Sequence, residues 1–230
     1  MHNRRRIEEL RALLTAEFPL RELFVDTGTQ LFTLFTAEDI EALISNVSAD
    51  EFNKDERLPY WAELWHSAVA LAAVLNEAQM LPDKAHVMEI GCGLGLPGLV
   101  AAQRGAQVTF SDYDRFALWA AELNLRSNLP GVEAEFLELD FRQPPSRQWP
   151  LILAADVIYE KRFVEPLAAF LDATLTHDGQ VLLAEPNRLI AVPFFETLTA
   201  RGFRYERQSR FPNLHGRTAE VSVYTIQRRA

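Results

Sequence analysis

Apolar positions recur along this chain with two different periods. From Ala85 onward, short β-favouring runs ("HVMEI", "QVTFS", "AEFLEL", "LILAAD" and "QVLLAE") alternate with longer stretches of helical spacing. The helical stretches are "LPGLVAAQR", "DRFALWAAELNLRSN", "RFVEPLAAFLDATL" and, after the fifth run, "VPFFETLTAR". Near-continuous apolar strands separated by helices predict a parallel sheet covered on both faces, a doubly wound α/β fold. The end of the chain changes character. There "FRYERQSRF" and "AEVSVYTIQ" follow one another with no helix between them, which predicts an antiparallel pair.

The first sixty residues follow a different plan. Ile7, Leu10, Leu13 and Leu14 fall on one face of a helix over 6–17. "LFVDTGTQLFTLF" holds two β-rich runs around Asp26-Thr27-Gly28-Thr29 and predicts a hairpin. Thr36 with Asp39 three residues later reads as a capping box for a short helix, "AEDIEALI". The polar run "SNVSADEFNKDERLP" is expected to be a surface loop, and "YWAELWHSAVALAAVLNEA" to resume as a helix. The expected division is an extension over 1–58, packed on a main domain over 59–230.

Composition narrows the class. The 230 residues are 48% hydrophobic and 24% charged, values of a chain that buries a core. A net charge of −9 argues against a broad nucleic-acid surface, which draws on clustered Lys and Arg. The single cysteine, Cys92, cannot close an internal disulfide and favours a reducing, cytoplasmic setting. No stretch approaches the roughly 20 apolar residues of a membrane helix, and Glu8 and Glu9 interrupt the basic N-terminus where a secretory signal would turn apolar. The histidines show no metal-ligand spacing, so no metal is expected.

The chemistry concentrates in "VMEIGCGLGLPG". A glycine-rich turn between a strand and a helix brings backbone N–H groups close to a ligand. Gly93-x-Gly95-x-x-Gly98 also satisfies the dinucleotide pattern, with Asp112 ending the next strand where a ribose belongs. Three features tilt the reading away from a nicotinamide cofactor. Glu89 precedes the loop, and an acid there suits an amine-bearing ligand and repels a pyrophosphate. Asp140 and Phe141 close the third strand, an acid and an aromatic that suit an adenine. The fourth strand runs into "ADVIYE", which puts Asp156 and Tyr159 at the carboxyl edge of the sheet, where ligands bind in open α/β folds.

With these residues in view, the chain from Trp61 onward resembles the class I, Rossmann-like seven-strand S-adenosylmethionine-dependent methyltransferases. Glu89-x-Gly91-x-Gly93-x-Gly95, Asp112 and the terminal antiparallel pair carry the resemblance. Leu64-Trp65-His66-Ser67-Ala68 and the D-x-x-Y signature Asp156-Val157-Ile158-Tyr159 are similar to the branch holding nicotinamide-N-methyltransferase-like proteins and non-histone protein-lysine methyltransferases. "LLAEPNR" resembles an acid-Pro-x-Arg element of that branch.

The resemblance implies S-adenosylmethionine as cofactor and a role for each matching position. Gly91, Cys92, Gly93 and Gly95 would lie along the methionine part, with Glu89 shaping the loop. Asp112, with its neighbour Tyr113, would hold the ribose hydroxyls; Asp140 and Phe141 would meet the adenine. Ala155 would leave room for the cofactor and Trp65 would close the site. Asp156 and Tyr159 are the expected catalytic pair, holding an incoming amine and the charge that forms on it. Trp61, Glu185 and Arg188 are candidate substrate contacts.

Simpler readings stand beside these. Asp112 and Asp114 each suit a helix N-cap, Trp61 and Trp65 at i and i+4 suit one buried helix face, and Glu185 and Arg188 suit a surface pair with each other. The expected activity is N-methylation, of a protein lysine ahead of a small-molecule, nicotinamide-like amine. An NAD(P)-dependent oxidoreductase and a non-catalytic cofactor-binding protein are the distant alternatives. Oligomeric state leaves no signal in the chain.

Overall fold

A computed structural model describes residues 2–45, 47, 58–77, 81 and 84–229. The chain opens with helix α1 (His2–Thr15), then strands β1 (Leu20–Asp26) and β2 (Leu31–Ala37) and a short helix α2 (Ile40–Ser45). β1 and β2 form the expected antiparallel hairpin, in register from Leu20↔Ala37 to Asp26↔Leu31. Leu23 and Val25 point inward while Phe24 between them faces water, the period of two that a half-buried strand requires. The capping-box expectation fails. Thr36 belongs to β2, where its hydroxyl donates to the Ala62 carbonyl, and Asp39 itself caps α2 by accepting from the Ala42 N–H at 2.8 Å. A buried carbonyl opposite Thr36 outcompetes a local cap.

Most of the expected polar loop over 45–58 lies outside the described residues. The helix expected across "YWAELWHSAVALAAVLNEA" is broken. A single 3-10 turn spans Tyr60–Ala62, and α3 runs from His66 to Asn76, with Glu63 and Trp65 extended between them. Trp61 and Trp65 therefore do not share a helix face.

The main sheet holds β3 (His86–Ile90), β4 (Gln107–Asp112), β5 (Glu135–Glu138), β6 (Trp149–Ala155), β7 (Leu175–Glu185), β8 (Phe203–Arg210) and β11 (Val221–Arg228). A small hairpin, β9 (Asn213–Leu214) and β10 (Arg217–Thr218), interrupts the tail and was not anticipated. Strand order is β5-β4-β3-β6-β7-β11-β8. The first five strands are parallel, and β11 runs antiparallel to both β7 and β8. Helices α4 (Leu96–Gln103), α5 (Arg115–Asn128), α6 (Val164–Thr174) and α7 (Val192–Ala200) supply the crossovers. Leu96 through Ala102 of α4 are all buried, so this helix is apolar on every side because it packs on every side.

Two consequences position the site. The chain leaves β3 outward to β4 and β5, then returns on its other side to β6, which opens a crevice at the carboxyl ends of these strands. The N-terminal extension also shares its apolar cluster with the sheet: Leu10, Leu14, Phe32 and Leu34 pack with Leu71, Val87, Leu99 and Phe110. Polar bonds reinforce the seam. Asn128 exchanges two hydrogen bonds with Thr33, and the fully buried Asn124 accepts from the Phe35 N–H at 2.7 Å and donates to the Leu94 carbonyl at 3.0 Å. Glu122 takes two bonds from Arg6 and one from Arg126. Burial pushes the Glu122 carboxyl up, but these guanidinium bonds outweigh it and hold the group below its ordinary range.

Candidate functional site

β3 delivers the chain into the glycine loop. Gly91, Gly93 and Gly95 all take left-handed backbone conformations, with φ of 56°, 50° and 80°. Gly93 shows why a side chain is excluded there: a Cβ would sit 3.2 Å from the Trp61 carbonyl, in a conformation L-residues avoid. At Gly98, on the first turn of α4, a Cβ would collide with the Phe110 ring and the Glu89 carboxylate. That close approach lets Glu89 accept the Gly98 N–H at 2.9 Å. Glu89 thus clamps the start of α4 from beneath the loop. Its carboxyl is pushed well up by burial and by neighbouring Asp112, against the pull of the Gly98 N–H.

Asp112 closes β4. Its Oδ2 accepts the Gly93 N–H and its Oδ1 the Asp114 N–H, both at 3.0 Å. Each carboxylate oxygen keeps a further acceptor position. Burial raises the Asp112 carboxyl to about 7 in spite of these bonds. Asp114, not Asp112, is the N-cap of α5, accepting from the Phe116 N–H.

A cleft runs along the loop. Its walls include Trp61, Trp65, Glu89, Gly91, Cys92, Gly93, Gly95, Asp112, Tyr113, Phe141, Ala155, Asp156 and Tyr159, all among the residues expected from the sequence. Three of the expected residues, Asp140, Glu185 and Arg188, do not line it. Leu139 and Phe141 line the cleft, while the Asp140 carboxylate is held by the Arg142 guanidinium through bonds of 2.5–3.0 Å. The acid expected at the adenine is thus paired with an arginine two residues on. Cys92 packs in the loop, and burial pushes its thiol well up, as suits a packing residue.

The cleft's charge is one-sided. Glu63, Glu89, Asp112 and Asp156 line it, and no Lys, Arg or His does among the described residues. With no cation in it, such a lining offers a pyrophosphate nothing to pair with, although burial lifts the carboxyls of Glu89 and Asp112 and Arg188 pairs with Asp156. The Trp61 indole N–H is buried in the wall with no partner among the described residues, a donor waiting for an acceptor. The loop's own volume is small, about 100 Å³. It continues, through Tyr60, Trp65, Asp156 and Tyr159, into a wider slot of about 470 Å³ that also touches Leu58, Glu160 and Arg188.

At the junction of cleft and slot sits Asp156. It holds a left-handed conformation, φ 61°, costly for a residue with a side chain and concentrated at functional sites. Its N–H donates to the Ala184 carbonyl, which pins it to β7. Ser67 Oγ donates to its carboxylate at 3.2 Å, and the Arg188 guanidinium pairs with it. The expected Glu185–Arg188 side-chain pair is therefore not the one that forms. Glu185 is buried and accepts the Arg188 backbone N–H with both oxygens, at 2.9 and 3.1 Å, leaving the guanidinium for Asp156. Burial lifts the Glu185 carboxyl against the pull of these N–H groups.

Ser67, Tyr60, Glu63 and Glu160 were not singled out from the sequence. Ser67 stands two residues after Trp65 within a segment already quoted, yet only the fold brings it to Asp156.

Residues 51–201 match the sequence model of a family described as lysine methyltransferase. The protein N-lysine methyltransferase METTL21A of Mus musculus is 31% identical over 175 residues, which cover 73% of this chain and 78% of that protein. An electron transfer flavoprotein beta subunit lysine methyltransferase of Danio rerio is 32% identical over 136 residues, and this chain spans about half of its length (51%). Among solved structures, magnesium protoporphyrin IX methyltransferase from Synechocystis PCC 6803, with bound SAM, superposes with a TM-score of 0.57 at 18% identity. It covers 78% of this chain and 85% of its own, and it shares the fold.

Proposed function

This chain belongs to the lysine methyltransferase family, and on that premise we propose that it methylates a lysine side chain of a protein with S-adenosylmethionine. One observation carries the reading: the acid-lined cleft opens, at Asp156, into a slot that reaches the surface. A cationic methyl donor suits the first compartment, and a long amine-tipped side chain suits the second.

When bound, the cofactor supplies a methyl group on a sulfonium, poised for in-line displacement. The chain's own residues then divide the work. Gly91, Cys92, Gly93 and Gly95 line the cleft closely enough for backbone contact, with Glu89 fixing the loop through Gly98. Asp112 offers its remaining acceptor positions to ribose hydroxyls, flanked by Tyr113. Phe141, braced edge-on by Phe163 at 5.3 Å, presents a ring to the adenine, and Ala155 leaves space beside it. Trp61 and Trp65 cover the site from the N-terminal side. Asp156 orients the acceptor amine and, with Tyr159, stabilises charge as it appears. Positioning of this kind supplies most of the rate in a displacement that needs no strong base.

The relatives named protein N-lysine methyltransferases support a protein acceptor. No helix among the described residues is long and apolar enough to cross a membrane. The test is transfer of label from methyl-labelled S-adenosylmethionine into a cell lysate, with Asp156→Ala in parallel. A discrete labelled protein band, lost in the variant, is expected. Label confined to small molecules would move the acceptor to a metabolite amine, and full turnover by Asp156→Ala would remove its catalytic role.

A further inference from the structure

The last two long strands are joined by more chain than their pairing needs. Arg210 of β8 lies opposite Val221 of β11, and a turn of about two residues can join antiparallel neighbours. Residues 211–220 instead carry the small β9–β10 hairpin. Its tip, His215 and Gly216, has φ of 52° and 77°, the left-handed pair that a tight turn between strands requires. Asn213 accepts the Gly216 N–H and donates to the Thr218 hydroxyl, both at 3.1 Å. Leu214 packs against the main apolar cluster. The hairpin is held as firmly as the strands it joins.

It is also bonded to two sides of the slot. His66, next to Trp65, donates from Nε2 to the Arg217 carbonyl at 3.1 Å. Asn187, next to Arg188, donates to the Glu220 carbonyl at 3.5 Å. Trp65 and Arg188 both line the slot, so the hairpin stands at its rim beside the turn after β7.

The two rim segments expose apolar side chains and uncompensated positive charge. Leu189 is 88% exposed, Phe211 66% and Val192 53%. Single exposed apolar residues are ordinary, but these flank one opening. From Arg207 through Ala219 the chain holds three arginines, one histidine and no carboxylate, in a protein of net charge −9. Arg210 bonds Glu77 at 2.6 Å and Arg207 lies 3.8 Å from Glu220. Arg217, at the hairpin, has no ion pair among the described residues.

Resting on the protein-lysine reading above, we infer that the hairpin and the turn after β7 form the docking surface for the protein substrate, one that selects a carboxylate and an apolar side chain beside the target lysine. The substrate carboxylate pairs with Arg217, and the apolar side chain covers Leu189 and Phe211. Continuity with the slot places this contact where the chain around an inserted lysine must pass. Charge at such a rim governs encounter and partner choice more than turnover.

The test follows label from methyl-labelled S-adenosylmethionine into the protein band of a cell lysate, with initial rates taken across a lysate dilution series. Arg217→Glu and Leu189→Ser should each raise the half-saturating lysate concentration about fivefold or more, with the maximal rate within about twofold of wild type. Arg217→Lys should keep the wild-type value, and added salt should shrink the Arg217→Glu penalty. Wild-type half-saturation in both variants would overturn the inference. So would a wild-type dimer in sedimentation that Arg217→Glu splits into monomers, because the surface would then hold a second copy. Thermal stabilisation by S-adenosylhomocysteine should be the same in every variant; its loss would make these residues supports of the fold and end the docking role. No labelled protein band with the wild-type chain sinks the protein-lysine reading itself.

Discussion

Arg188, in the turn after β7, pairs its guanidinium with the Asp156 carboxylate at the end of β6. The side chain of Asp156 is 7% exposed and that of Arg188 is 32% exposed. The pair is therefore asymmetric, a nearly buried acid held by a base that still meets water. Glu185 beneath the turn makes it possible by tying down the Arg188 backbone, and Ser222 donates to Asn187 at 2.6 Å to hold the turn between them.

Removing the guanidinium should leave the buried carboxylate short of a partner. Arg188→Gln is expected to cost about 1–3 kcal/mol, below the full price of a buried pair because water reaches the vacated side. Urea denaturation measures this. Affinity for S-adenosylhomocysteine should change little, since Arg188 lines the slot and not the cleft; a large loss of affinity would relocate Arg188's role to the cofactor.

Asp112 makes the cleft sensitive to pH near neutrality. Its carboxyl, raised to about 7 by burial, binds a proton more readily in the folded chain than in the unfolded one. The group's contribution to the ligand-free fold is thus greatest at low pH and declines as pH rises from about 4 to about 7. Cofactor binding runs the other way, because only the ionised carboxylate accepts from both ribose hydroxyls. Affinity for S-adenosylhomocysteine should climb between pH 6 and 8 in the wild-type chain and be flatter in Asp112→Asn. A wild-type affinity indifferent to pH in that window would contradict the assignment.

Gly98 tests the clamp on α4. Gly98→Ala forces a methyl group against Phe110 and the Glu89 carboxylate, and over-packing of this kind typically costs about 1–3 kcal/mol. Because Glu89 must move, the loop's binding competence should fall with stability. Thermal unfolding with and without S-adenosylhomocysteine separates the two effects.

Asn124 ties the N-terminal hairpin to the glycine loop, bonding Phe35 on one side and Leu94 on the other. Asn124→Ala strands a buried N–H and a buried carbonyl, each worth about 1–3 kcal/mol when unsatisfied. Destabilisation of about 2–4 kcal/mol is expected in denaturant titrations. A weaker grip on S-adenosylhomocysteine should accompany it, and its absence would show that the hairpin supports the fold without supporting the loop.

Features governed by neighbours in the chain were legible in advance. "HVMEI" became β3 with both ends as read, the glycine loop took the backbone conformations that only glycine adopts easily, and the apolar runs became parallel strands because a strand buried on both faces needs both faces apolar. Partner choice was not legible. Thr36 as a cap, Asp140 at the adenine, Trp61 and Trp65 on one helix face, and Glu185 paired with Arg188 were all plausible from spacing. Contacts elsewhere in the fold took Thr36 and Arg188, a break in the helix separated the two Trp residues, and Asp140 pairs with a nearer arginine.

Local periodicity and backbone sterics act within a few residues, so the order of strands and helices, the glycine loop and the acids at the strand ends could be read from the chain. Which carboxylate meets which cation depends on distances between segments far apart in sequence, such as Ser67, Asp156 and Arg188. The strand order β5-β4-β3-β6-β7 brings those segments to one edge of the sheet. There burial makes an unpaired charge costly, and the least costly pairing is chosen by the folded geometry.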